Sequence, residues 1–223
     1  MGLERTIATW AAVATAGTGL ALSAVPAWAA PGATVTTTLR EAIAALSVAD
    51  EDRTGYTRDA FRHWVDADRD GCNTRNEVLI EEATVAPAVG GRCVLTGGEW
   101  HSYYDDVDQT NASGLDIDHM VPLAEAWDSG ASAWSAQERQ EYANDLGDPR
   151  SLVAVTASEN RKKADQDPDE WLPPDDEALC RYVTEWTVVK TRWRLAVDDG
   201  EAAALQRLGA GCPDASITVV LAR

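Results

Sequence analysis

The chain has 223 residues, with 37 Asp and Glu against 19 Lys and Arg for a net charge of −18. The length suits one domain of ordinary size with enough surface to bury a core. The acidic balance argues against a protein that binds nucleic acid through bulk electrostatics.

Residues 1–29 read as a signal peptide. Arg5 sits in a short leader, an Ala-rich apolar run extends from Thr6 to Val25, and Ala27 and Ala29 flank Trp28 as an A-x-A processing site. A membrane anchor fits less well, because the run is rich in Ala, Thr and Gly and no basic cluster follows it. Export with cleavage after Ala29 leaves a secreted, extracellular chain of residues 30–223, in which no later segment is apolar enough to span a bilayer. Residues 30–38 (APGATVTTT) read as a flexible leader, and Leu39, Ile43 and Leu46 at helical spacing predict a short helix before residue 50.

DADRDGCNTRNE, residues 66–77, matches the calcium-loop pattern, with Asp66, Asp68 and Asp70 at positions one, three and five, Gly71 at six and Glu77 at twelve. Asn73 stands at position eight, where an apolar residue is usual. Two plainer readings compete: a solvated acidic turn, or a capping box of Thr74 and Glu77 that starts a helix near Arg75. GRCVLTGGEWHSYYDD predicts strand, Gly turn and strand, with Trp100, Tyr103 and Tyr104 as packing residues. LDIDH (115–119) predicts a short strand with Leu115 and Ile117 facing inward.

Pro122 to Leu146 is helical in character, with a break at SGAS. SLVAVT (151–156) predicts a second strand, and the Thr156–Glu159 capping box opens a helix carrying Asn160 and Lys163, which DPDEWLPPDD ends. Leu179, Val183, Trp186, Val189 and Trp193 mark one face of a long helix, and a last short helix covers about 201–208. The Trp spacing there is core packing at helical period. The fold class expected is α+β, a mostly helical single domain over residues 50–223.

The cysteines are Cys72, Cys93, Cys180 and Cys212. An even count in an exported chain reads as disulfides, with three pairings open. Cys72–Cys93 and Cys180–Cys212 are favoured because each closes a short loop, stabilising by roughly 3 kcal/mol apiece. A four-cysteine zinc site is disfavoured by the lack of any C-x-x-C pair.

The chemistry centres on Asp118 and His119. A phosphodiester needs its developing charge neutralised, and a hard divalent cation does that. Asp118 offers an anionic oxygen and Asn160 a neutral one, a sparse oxygen site suited to Mg²⁺. His119 is then free to act as general base on the attacking water. Lys163 lies three residues after Asn160 on the same helix face, placed to meet a phosphate oxygen. Arg139, Arg150, Arg161, Lys162 and Lys163 gather positive charge nearby, and distant carboxylates are screened beyond roughly 8 Å. His63 beside aromatic residues reads as structural, and His101 as packed or surface.

DIDHMVPL followed by SLVAVTASENRKKAD resembles the HNH (ββα-metal) endonucleases. The D-H pair, the inserted segment and the downstream N-x-x-K are similar to the C-terminal HNH domain of GmrSD-type restriction enzymes. DADRDGCNTRNEVL, AWDSGA, YAND and DPDEWLPP look like a secreted bacterial branch of that group. The resemblance implies a ββα-metal core over about 114–166, Asp118 and Asn160 as metal ligands and His119 as general base. The family's middle asparagine steadies the loop that orients the histidine. Asn144 is the candidate, while Ser151 fills the position where that asparagine often stands.

The leading expectation is a secreted endonuclease using Mg²⁺ or Mn²⁺ on DNA, with RNA as a further substrate and little sequence specificity. No membrane or obligate protein partner is visible. The rival is an extracellular, non-catalytic module that binds Ca²⁺ through the Asp66–Glu77 loop.

Overall fold

The computed structural model describes residues 30–223, so the signal-peptide expectation lies outside the described residues. In chain order the elements are β1 (Thr34–Thr38), α1 (Leu39–Ala45), α2 (Thr74–Glu81), β2 (Ala88–Val89), β3 (Leu95–Thr96), β4 (Trp100–Ser102), β5 (Val107–Gln109), β6 (Leu115–His119), α3 (Leu123–Asp128), α4 (Ala136–Ala143), β7 (Leu152–Thr156), α5 (Ala157–Lys163), α6 (Leu179–Trp193), α7 (Asp199–Gly211) and β8 (Ser216–Val220). The strands form antiparallel two-stranded ribbons, β1–β8, β2–β3, β4–β5 and β6–β7, and the fold class is α+β. No helix among the described residues is long and apolar enough to cross a membrane.

TVTTT is not a flexible leader. It is β1, paired with the SITVV segment of β8 from Thr34↔Val220 to Thr38↔Ser216. β-branched residues favour a pleated, half-buried surface, but only a partner at the far end of the sequence satisfies their backbone. Thr38 then caps α1 in a capping box with Glu41.

Two large apolar clusters fill most of the interior, with a third, small one of Ala42, Val188, Ile217 and Val219 at the β1–β8 ribbon. The larger one gathers Tyr182, Val183, Trp186, Val189 and Trp193 of α6 with Phe61, Met120 and Tyr142. This is the predicted Trp-bearing face of the long helix, and Trp186 is fully buried. The smaller cluster joins Val78 and Leu79 of α2 to Trp100, Leu115, Ile117, Leu152 and Ala154. The β6–β7 ribbon lies between the two.

Disulfides link Cys72 to Cys93 and Cys180 to Cys212. The first holds the start of α2 against the β2–β3 ribbon, and the second fastens the start of α6 to the end of α7. Inside the core, Lys190 donates to Glu125, Ser129 and Glu201 at 2.5, 2.7 and 2.9 Å. Asp145 accepts from Arg192 and Trp193 of α6 and from Ser151, which fixes the segment between α4 and β7.

Candidate active site

The β6–β7 register runs from Leu115↔Thr156 to His119↔Leu152 and sets Asp118 opposite Val153. Alternation along a strand gives the ribbon two faces. Leu115, Ile117, Leu152 and Ala154 supply the smaller cluster, whereas Val153 and Val155 join the larger one. Asp118 therefore projects toward the larger core, where a carboxylate needs donors. Tyr104 Oη and Lys163 Nζ each donate to its Oδ2 at 2.6 Å. Among the described residues, its Oδ1 takes no hydrogen bond, and Asp118 lines an open cleft.

The sequence reading sets Lys163 against a substrate phosphate. The structure instead buries it completely beneath Asp118, with Nζ also donating to the carbonyls of His119 (3.1 Å) and Met120 (2.9 Å). Three acceptors use all three protons of an ammonium, so the pair is ionic. Burial works against both charges, pushing Asp118 up and Lys163 down. Lys163 thus ties the end of β6 to α5 and does not reach the cleft surface.

His119 is only 6% exposed. Its Nε2 lies 3.0 Å from the carbonyl of Ala143. A carbonyl can only accept, so Nε2 carries the proton and Nδ1 keeps the lone pair. Trp64 stacks on the ring at 5.4 Å, and His63 meets it edge-on at 6.3 Å. Burial pushes the imidazole down to about 3, so His119 is neutral at neutral pH.

Asn144 explains how Trp64 is held. Trp64 has φ 58°, a left-handed conformation that costs a non-glycine residue about 1–3 kcal/mol. The Asn144 side chain grips both flanks of the His63–Trp64 pair. Nδ2 donates to the carbonyl of Arg62 at 2.8 Å, and Oδ1 accepts from the amide of Val65 at 3.0 Å. Oδ1 also accepts from Thr74 Oγ1, and Nδ2 donates to Gln140 O. From the residue next to Ala143, the Asn144 side chain thus fixes the segment whose Trp64 stacks on the histidine. Asn144→Ala is expected to destabilise the fold by about 2–4 kcal/mol. Urea unfolding of the variant beside the natural chain checks this.

Asn160, one α5 turn before Lys163, lines the same cleft as Asp118 and His119. Its Nδ2 donates to Asp116 Oδ2 at 3.4 Å, which turns the amide oxygen the other way. The cleft measures about 480 Å³ and includes Arg58 and Arg161 on its walls. The other basic residues expected there are engaged elsewhere. Arg139 donates to the carbonyls of Ala60, Ala131 and Trp134, Arg150 to Asp148, and Lys162 to Glu159. Arg58 and Trp64 escape sequence reasoning because they come from an irregular segment with no periodic signal. His101 pairs with Asp108 at 2.9 Å on the exposed β4–β5 ribbon, outside the cleft.

In the Asp66 loop, the carboxylates of Asp66, Asp68 and Asp70 lie within 4.8 Å of one another. Gly71 takes φ +98°, as the sixth position of a calcium loop demands. Among the described residues, the buried Glu77 Oε2 has no hydrogen-bond partner. The α2 cap is not Thr74 but Asn73, which accepts from the Asn76 amide, so Glu77 is free of the capping-box duty. Arg75 donates to the carbonyls of Ala112 and Leu115 and does not reach the cleft.

Residues 75–208 match the family described as GmrSD restriction endonucleases, C-terminal domain. The chain is also 41% identical over 198 residues to an uncharacterized secreted protein of Arthroderma benhamiae, covering 88% of this chain and 95% of that one. No solved structure matches.

Proposed function

The chain belongs to the family of GmrSD restriction endonuclease C-terminal domains, and from that premise we propose that it is an exported, metal-dependent endonuclease hydrolysing phosphodiester bonds of DNA with little sequence preference. The supporting observation is the lone pair on His119 Nδ1, fixed by the Nε2–Ala143 bond, in one cleft with Asp118 and Asn160. The two oxygen donors fit a hard cation such as Mg²⁺ or Mn²⁺, because Asp118 Oδ1 and the Asn160 amide oxygen are free of protein donors among the described residues. When bound, that cation would neutralise the charge developing on the phosphate.

The residues of the chain divide the remaining work. Nδ1 of His119 accepts a proton from the attacking water, and the Ala143 carbonyl steadies the imidazolium that forms. Tyr104 and Lys163 hold Asp118 in its ionised, fixed orientation. Arg58 and Arg161 face the substrate backbone from the cleft walls. RNA carries the same diester and is the second substrate to assay.

Supercoiled plasmid and the disulfide-intact chain test this reading. Nicking is expected with Mg²⁺ or Mn²⁺ and none with EDTA; no nicking under any metal overturns it. With so few cations in the cleft, affinity should fall with salt on a log–log slope of about −2.

The Asp66–Glu77 loop supports a second, structural role as a Ca²⁺ site, favoured by three converging aspartates and by the nearby Glu77, whose buried Oε2 has no hydrogen-bond partner among the described residues. Ca²⁺ should raise the melting temperature over EDTA, and Asp68→Asn should reduce that gain. A chain stabilised by Ca²⁺ that cleaves nothing would make calcium binding the primary function.

A further inference from the structure

Behind the cleft, α3 presents two acidic residues to the segment that follows α1. Glu125 is 2% exposed and Asp128 is 6% exposed. With Glu51 they place carboxylate oxygens within 4.8 Å of one another, and Glu51 forms a like group with Asp167 and Asp198. The nearby cations are already committed. Lys190 is divided between Glu125 and Glu201, and Arg53 bonds Asp128 Oδ2 and Asp165 Oδ2, each at 2.5 Å. What remains is one-sided. Among the described residues, the buried Asp128 Oδ1 has no hydrogen-bond partner. The carboxylates of Glu51 and Glu125 converge on the same point. A pocket of about 160 Å³ opens beside Glu51 and Glu125, with Asp167 and Asp198 on its walls, roomy enough for an ion and its waters.

We propose that Glu51, Glu125 and Asp128 hold a divalent cation, Ca²⁺ by ligand chemistry, in a site separate from both the catalytic cleft and the Asp66 loop. The donors are all carboxylate oxygens, without His or Cys, from an irregular segment and a short helix. Ca²⁺ tolerates such irregular oxygen sets and takes carboxylates in one- or two-oxygen mode. The ion satisfies Asp128 Oδ1 and offsets the mutual repulsion of the Glu51 and Glu125 carboxylates. Asp167 and Asp198 form the outer rim, reached through water. The site clasps the N-terminal segment to α3, the helix that follows the Asp118–His119 turn, and so braces that turn from behind.

The test uses the full disulfide-bonded chain in an Asp68→Asn, Asp70→Asn background, which disables the other acidic loop. After metal is stripped, calorimetric titration with CaCl₂ at pH 7 should show one Ca²⁺ bound per chain. Saturation should raise the melting temperature by about 5–10 °C. Adding Glu51→Gln, at an exposed position, should weaken binding tenfold or more; Asp128→Asn should do the same. No Ca²⁺ binding in the background protein, or binding unchanged by both Glu51→Gln and Asp128→Asn, overturns the proposal. The inference is independent of the nuclease reading, and no cleavage is measured, so failure of one leaves the other standing.

Discussion

His119→Ala is expected to lower the rate of plasmid cleavage by about 10²–10⁴-fold, the contribution of a positioned general base. The histidine is not a surface group that a neighbour could replace. Its Nε2 is held by the Ala143 carbonyl, Trp64 covers one face, and Tyr142 lies parallel at 6.5 Å. His63 meets the ring edge-on and is itself bonded to the Phe61 carbonyl at 2.9 Å through Nδ1, so it is poorly placed to take over. The depressed pKa adds a second signature. A base that stays neutral from about 3 upward loses no activity by its own protonation near pH 6.5. The acid limb of the wild-type profile should therefore lie well below the ordinary imidazole range. Single-turnover cleavage from pH 4.5 to 8.5, wild type beside His119→Ala, measures both effects. Equal rates in the two proteins would remove His119 from the chemistry.

Lys163→Met should produce the largest loss of stability, about 3–5 kcal/mol, or a fall in melting temperature of roughly 10 °C. The reason is geometric. Removing the ammonium leaves the Asp118 carboxylate buried with Tyr104 as its remaining donor and strips a partner from two main-chain carbonyls. The double variant Lys163→Met, Asp118→Asn removes the orphaned charge, so it should recover part of the loss. Urea unfolding of the set distinguishes this role from the phosphate contact that its helix spacing suggests. A Lys163→Met protein that unfolds like wild type but fails to bind DNA would mean the lysine reaches substrate.

Much of this arrangement is legible in the sequence. Alternation in LDIDH and the continuous apolar run SLVAVT are enough to predict the two strands, and the Trp stripe predicts α6, because each follows from local periodicity. The cysteine pairs follow from loop length. What is not legible depends on long-range partners. TVTTT reads as a leader until SITVV pairs with it, and the α2 cap shifts to Asn73 because Thr74 turns its hydroxyl to Val65 and Asn144. The role of Lys163 is missed for a different reason. Residues three apart on a helix share a face, but here that face spans the boundary between cleft and core, so Asn160 is wet and Lys163 is dry. Trp64 and Asn144 act through contacts between an irregular segment and α4 that no local pattern encodes.

The β1–β8 ribbon has a further consequence, for the order of events in folding. Thr36 and Thr218 touch although they stand 182 positions apart in the chain. Closing so long a loop carries an entropic cost that is repaid only once the rest of the domain has condensed. A polypeptide delivered N-terminal end first cannot complete this fold until its final strand is released. A protease that trims that strand by a few residues also unzips β1 at the other end.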